Sequence, residues 1–279
     1  MHIGQRIDVQ YGDLSPQEQR AADFILDHLS DLAVYNATEL ARLSGVSKAT
    51  VSRLFRLLGF QDSAEVRDHA RTLRSNGAPV GGPGASAGTP SRLAMHLSGE
   101  QENLRRLLQN IEDGRLDVAA RLIARAGHVV VIGTRDGYPL ALHLRQQLAQ
   151  ACQNVRLAPS PGQSIGEDLA GLGANDVVVL FGFRRRTAGF GRLVAAIHRR
   201  GVPLVLISDS SAGRHADNAA VWLECPIDSP SAFDSYAAAM SLINLVATGV
   251  MGAQVRQART RIAAITSIYE DLDELEEPW

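Results

Sequence analysis

The sequence predicts two folds in one chain: an all-α N-terminal unit and an α/β C-terminal unit with a doubly wound, five-stranded parallel sheet. Three observations carry this reading. Residues 1–75 place apolar side chains at helical spacing between helix-capping residues. Residues 76–91, "NGAPVGGPGASAGTPS", are almost all Gly, Pro, Ala, Ser and Thr, which cannot bury a core and read as a flexible linker. Residues 92–279 alternate short apolar runs with helical stretches, the pattern of βαβ units.

The elements follow in order. In "LSPQEQRAADFILDHL", Ser15 stands as N-cap and Pro16 at the first helical position. Ala21, Phe24, Ile25 and Leu29 then share one helix face. In "NATELARLSGVSKATVSRLFRLLGF", Thr38 is placed to cap a helix ending at Gly45. Ser47 is placed to cap the next, which ends at Gly59. "DSAEVRDHARTL" continues as a further helix. Beyond the linker, helices are expected over 92–111 and 115–126. Strands are expected at "HVVVIG" (128–133), "NVRLAP" (154–159), "DVVVLFGF" (176–183), "PLVLIS" (203–208) and "AAVWLEC" (219–225). Their continuous apolar character indicates burial on both faces, hence a parallel sheet between helices. Those helices are expected over 138–152, 188–200 and 232–251, with a last one over 254–273. The apolar stretch "FDSYAAAMSLINLVATGV" belongs to the core or an interface, and Asp234 or Ser235 could cap it.

Composition narrows the function classes. No apolar run approaches the roughly 20 residues of a membrane helix, and the N-terminus shows no basic segment followed by an apolar one. Cys152 and Cys225 match no metal or redox spacing and read as small core residues. The expectation is a cytoplasmic protein with no cofactor, no metal and no membrane partner.

Net charge is only −2, but the charge is unevenly spread. From Leu40 to Gln61 there is no acid, against Arg42, Lys48, Arg53 and Arg56. From Val177 to Ser208 there is again no acid, against Arg184, Arg185, Arg186, Arg192, Arg199 and Arg200. Two basic patches on a balanced chain suggest two anionic partners.

The first patch coincides with a helix, a tight turn and a second capped helix, the helix-turn-helix pattern. The second helix would enter the DNA major groove with its N-terminal residues against base edges. Here the candidate DNA-binding residues are Ser47, Lys48, Ala49, Thr50, Arg53 and Arg56. Lysine and arginine neutralise phosphates or donate to guanine, hydroxyls donate to phosphate, and Ala49 can approach a thymine methyl. Val46, Val51, Leu54 and Leu58 fall on the opposite face and hold the helix down. Specific binding would need a dimer spanning two half-sites about 34 Å apart on double-stranded DNA, hence a roughly palindromic operator.

"TELARLSGVSKATVSRLFRLLGFQDSAEVR" resembles the helix-turn-helix domain of RpiR-type bacterial transcriptional regulators. Leu40, Ala41, Gly45, Val46, Ser47, Thr50, Val51, Arg53, Leu58, Gly59 and Phe60 carry the resemblance. It implies that residues 92–279 form a C-terminal SIS (sugar isomerase) domain of α/β build, for effector binding and assembly into a homodimer or homotetramer.

Ligands of open parallel sheets sit beyond the carboxyl ends of strands. Three loops occupy such positions: "IGTRDGYP", "FGFRRRTAG" and "ISDSSAG". SIS domains cradle sugar phosphates with a "GxGxS" loop and an "SxSGxT" loop. This chain keeps Gly133 of the first, but "TRDG" follows it. In the second, Gly182 and Arg184 stand at the serines, Arg185 stands at the glycine, and Thr187 is kept. Guanidinium groups replace much of the hydroxyl cradle, and they bind carboxylate or phosphate in bidentate fashion. The candidate effector-binding set is Thr134, Arg135, Tyr138, Arg184, Arg185, Arg186, Thr187 and Ser208, with Asp209 nearby. At least one arginine is expected to pair with an acid such as Asp136, Glu167 or Asp168, since three neighbours cannot all point one way. The resulting expectation is a transcriptional regulator sensing a small anionic metabolite, a sugar phosphate or a carboxylate. The alternative is a sugar-phosphate isomerase or another SIS-domain enzyme. Against it, the loops offer Asp136 and Asp209 but no convincing base arrangement, so no catalytic residue is assigned.

Overall fold

The computed structural model describes residues 3–29, 32, 35–75, 89–231 and 233–274. Its contacts divide the chain into two units: Met1–Gln101 with Asp228–Ser235, and Glu102–Ile227 with Tyr236–Trp279. Residues 76–88 of the expected linker lie outside the described residues.

The first unit contains α1 (Ile3–Gln10), α2 (Pro16–Asp27), α3 (Ala37–Ser44), α4 (Lys48–Leu57) and α5 (Ser63–Ser75). Helix α1 was not expected from the sequence; it buries Ile3 and Ile7, one helical turn apart. They join Ala21, Ile25, Leu40, Val51, Leu54 and Phe55 in one core. Ser15 caps α2, and its N–H and hydroxyl both donate to Glu18 Oε2, at 3.0 and 2.6 Å. Asn36, rather than Thr38, caps α3. Its Oδ1 accepts from the N–H groups of Thr38 and Glu39, and Glu39 returns a bond to the Asn36 N–H. This reciprocal box satisfies donors that a cap two residues later would leave outside the helix. Gly45 closes α3 in the left-handed region at φ 68°, as its position after the last apolar turn suggested. Arg6 then ties α1 to the end of α4. Its guanidinium donates to the Leu58 carbonyl at 2.8 Å and lies over the Phe60 ring, 4.4 Å from the centroid. A cation at a helix C-terminus complements carbonyls that lack partners inside the helix.

Helix α6 runs over Thr89–Ile111. The second unit continues with α7 (Arg115–Arg125), β1 (Val129–Ile132), α8 (Gly137–Ala149), β2 (Val155–Ala158), α9 (Gly166–Leu169) and β3 (Val177–Phe181). Next come α10 (Phe190–Arg199), β4 (Leu204–Ser208), a 3₁₀ helix (Ser210–Asn218), β5 (Val221–Glu224), α11 (Ala237–Ala253) and α12 (Val255–Leu272). All five strands are parallel, in the order β2-β1-β3-β4-β5. Alternate residues serve opposite layers. Val129, Val131, Val179 and Val205 face the layer of α7, α8 and α11, whereas Val130, Ile132, Val178 and Leu206 face that of α10. Helix α11 is apolar because it is core: Ala239, Leu242, Ile243, Val246 and Val250 are buried. It begins at Ala237, five residues later than expected from the sequence. Among the described residues, no single helix is long and apolar enough to cross a membrane. Cys152 and Cys225 are both buried free thiols, and burial pushes the Cys225 thiol up to about 12.

Order 2-1-3-4-5 leaves a topological switch between β1 and β3, where successive connections depart in opposite directions. Gly133 fixes the entry to it. A side chain there would place its Cβ 2.2 Å from the Gly137 carbonyl oxygen and 2.7 Å from Ala141 Cβ. The absence of a side chain lets α8 start hard against the end of β1. Gly133→Ala should therefore destabilise the second unit by about 3 kcal/mol, because the blocking atom is backbone and cannot rotate aside. Thermal unfolding of the variant checks this; an unshifted midpoint would contradict the packing.

Candidate functional site

The first candidate surface is α4. Its N-cap Ser47 accepts from the Thr50 N–H at 3.1 Å, and the two hydroxyls lie 2.9 Å apart. Lys48, Ala49, Arg53 and Arg56 are exposed together with Ser47. Thr50 is the exception in the expected set. Only 5% of it is exposed, so its hydroxyl faces Ser47 and the core rather than a groove. Val51, Leu54 and Leu58 are buried beneath, as their spacing predicted, and Val46 is half-buried. Sequence reasoning missed Glu18. Its side chain is 9% exposed and its Oε1 lies 3.8 Å from Arg53 Nε. The Ser15 hydroxyl and N–H, with Arg53 beyond them, hold the Glu18 carboxyl below the usual carboxylate range against the opposing effect of burial.

The second candidate surface is the switch point. Thr134, Arg135, Arg184, Arg185 and Arg186 line one small cleft with Phe181 and Phe183. Its volume is about 10 Å³, room for roughly one water. Tyr138, Thr187 and Ser208 do not line it. Ser208 is fully buried and its hydroxyl accepts from Trp222 Nε1 at 2.8 Å, so it joins β4 to β5 instead of facing a ligand. Tyr138 is half-buried on the first turn of α8, and Thr187 is exposed before α10.

The arginines divide into two kinds. Arg186 is structural. Its side chain is 14% exposed and its guanidinium meets Asp209 Oδ1 at 3.2 Å, the Gly182 carbonyl at 2.7 Å and Ser211 at 3.0 Å. The acid that pairs with Arg186 is thus Asp209, which lies outside the three acids singled out from the sequence. Asp209 is itself buried and also accepts from the Arg184 N–H at 2.8 Å and the Ser211 hydroxyl at 2.5 Å. Arg184 is half-buried, with a guanidinium contact to the Ile227 carbonyl at 3.5 Å.

Arg135 and Arg185 are of the other kind. Both are exposed, and neither side chain makes a hydrogen bond or ion pair among the described residues. Both have left-handed backbones, at φ 54° and 64°. Non-glycine residues seldom adopt this conformation, which costs roughly 1–2 kcal/mol. The "GxGxS" and "SxSGxT" patterns explain it: Arg135 falls on the second glycine of one and Arg185 on the glycine of the other. The chain keeps a glycine backbone path and hangs a guanidinium on it. Gly137 falls where the first pattern has its serine, and a Cβ there would lie 3.2 Å from Phe181 Cβ. The crowding by Phe181 leaves little room for a hydroxyl at that corner.

Residues 1–69 match the helix-turn-helix domain of the rpiR family, and residues 122–249 match the SIS domain. A reading head of this type followed by a SIS domain defines a DNA-binding transcription regulator. The chain belongs to the RpiR-type transcriptional regulators. It is 21% identical, over 194 residues and 68% of either chain, to an uncharacterised HTH-type transcriptional regulator in the aarA 3′ region of Providencia stuartii. Its fold is similar to that of the sugar isomerase domain of an RpiR transcription factor from Sphaerobacter thermophilus. The TM-score is 0.58 at 20% identity, covering 63% of this chain and 98% of that one. It is also similar to Vibrio vulnificus NanR complexed with ManNAc-6P, with TM-score 0.52 at 16% identity, covering 97% and 99%. A putative sugar-phosphate isomerase from Listeria monocytogenes shares the fold of the second unit, with TM-score 0.53 at 16% identity, covering 63% and 95%.

Two substitutions separate the structural arginine from the strained one. Asp209→Asn should cost about 3 kcal/mol, because it leaves the buried Arg186 charge without its counter-ion. Arg185→Gly should stabilise the second unit by about 0.5–1 kcal/mol by relieving the left-handed backbone. Denaturant titration of both variants gives the two signs directly; equal signs would contradict this division.

Proposed function

We propose that residues 1–75 read a roughly palindromic operator through α4, and that residues 92–279 sense a small anionic metabolite at the switch point and assemble the chain as a homodimer or homotetramer. The chain would act in the cytoplasm, where its DNA lies. The observation that carries the sensor half is the pair of exposed guanidinium groups, Arg135 and Arg185, without a partner among the described residues and on adjacent loops beyond β1 and β3. Paired forks of this kind suit phosphate or carboxylate. A phosphorylated sugar is the first class to test, since NanR, similar in fold over nearly the whole chain, is complexed with ManNAc-6P.

The closed cleft supports a mechanism of regulation. A metabolite is far larger than the 10 Å³ cleft, so on this reading the loops after β1 and β3 part to admit it. The effector then binds the parted arrangement in preference to the closed one, and that difference in affinity sets how far it can shift the population. A shift between arrangements of the assembled second units would alter how two α4 helices meet two half-sites. The isomerase alternative fares worse. Asp209 is committed to Arg186, Ser211 and the Arg184 N–H, which leaves it no proton-transfer role, and Asp136 is met by the Tyr236 hydroxyl at 3.5 Å, too long to hold it as a base.

Two experiments test the halves separately. Arg53→Ala should weaken binding to an operator fragment and reduce the salt slope by about one ion. Unchanged affinity and slope would remove Arg53 from the contact surface. In a thermal-shift screen of sugar phosphates and carboxylates, at least one compound should raise the melting temperature of the intact chain. Arg135→Ala with Arg185→Ala should abolish that rise while DNA binding persists. A rise that survives the double substitution would place the effector elsewhere.

A further inference from the structure

Glu18 contributes more than a helix cap. Its two carboxylate oxygens have different tasks: Oε2 takes both bonds from Ser15, while Oε1 faces Arg53 Nε at 3.8 Å. The cap explains the first oxygen and leaves the second unexplained. The environments of the partners also differ sharply, with the Glu18 side chain 9% exposed and the Arg53 side chain 64% exposed. A buried, helix-anchored anion therefore reaches the inner edge of an arginine whose outer end lies in solvent. Among the described residues, Arg53 makes no other side-chain hydrogen bond or ion pair.

Resting on the reading of α4 as the DNA-contacting helix, we propose that Glu18 is a specificity-setting residue that positions Arg53 so that its two Nη groups face a guanine edge. A free arginine side chain loses considerable rotamer entropy when it is ordered, and an anchor at Nε removes part of that loss in advance. The anchor leaves the Nη1–Nη2 edge open. That edge is a planar, two-donor fork, which matches the O6 and N7 acceptors of guanine in the major groove. A phosphate contact needs charge within reach but no such fixed plane. Glu18 thus acts through Arg53 without touching DNA.

The test uses the full chain and a pool of duplex DNA with a randomised centre. Glu18→Gln keeps an acceptor for the capping box, which tolerates either residue, and removes the charge facing Arg53. The native chain should enrich a site with guanine at one position of each half. Glu18→Gln should relax that position alone, lowering discrimination there about tenfold, with the melting temperature close to native. Arg53→Ala should relax the same position, and adding Glu18→Gln to it should change nothing further. Arg53→Lys keeps the charge but has no fork, so it should lose the guanine preference while retaining the salt slope. Ser15→Ala removes the hydroxyl from the cap and should leave the preference intact. Undiminished discrimination in Glu18→Gln, equal weakening at every position, an effect that persists without Arg53, or a guanine preference kept by Arg53→Lys would each overturn the proposal. A native chain that enriches no site would remove α4 as a sequence reader, and the proposal with it. Enrichment of a site that Glu18→Gln leaves unaltered would defeat only the role of the pair.

Discussion

The buried pair of Asp209 and Arg186 is the interaction on which the switch point depends. Asp209 follows β4 directly, and it collects a guanidinium and a backbone N–H from the loop after β3 as well as a hydroxyl from the 3₁₀ helix. Neither charge would be tolerable there alone, since desolvating an ion without a partner costs several kcal/mol. Together they lock the ends of two neighbouring strands into one rigid corner. Gly182 completes it: a Cβ there would strike the Phe190 ring at 2.4 Å, so α10 sits directly against the loop. With Arg186 consumed in this way, the charge left for a ligand comes from residues on either side of it in the fold.

A glycine-type backbone carrying arginine is the second feature that shapes the site. The left-handed turns at Arg135 and Arg185 keep a backbone path that suits glycine, and each hangs an exposed guanidinium on it. The first unit applies a related principle. A buried acid, Glu18, faces one arginine of the reading helix, while Lys48 and Arg56 have no ion pair among the described residues.

The elements were largely legible from residue patterns, and the site only in part. Unbroken apolar runs such as "DVVVLF" have one physical explanation, burial on both faces, and the parallel sheet follows. Caps at Ser15 and Ser47 and the left-handed Gly45 are local events that adjacent residues dictate. Helix α1 escaped notice because Ile3 and Ile7 give too short a periodic signal. The pairing of Arg186 with Asp209 spans 23 residues, and nothing local distinguishes Arg186 from Arg185; only the turn geometry sends one inward and the other out. Ser208 turns inward for a related reason: the last residue of a strand can face either layer, and the Trp222 indole claims its hydroxyl. Thr50 belongs to the same class, a polar residue at a helix start whose inward turn is fixed by the Ser47 hydroxyl.

The Trp222–Ser208 bond has a practical consequence. Indole emission responds to hydrogen bonding at its nitrogen and to the polarity around the ring, and this ring packs on Gly213 beside the corner built by Asp209. The chain has only one other tryptophan, Trp279. With that one replaced, the protein carries a single tryptophan, hydrogen-bonded to the residue before Asp209, and rearrangement of that corner can be followed through its emission without attaching a dye.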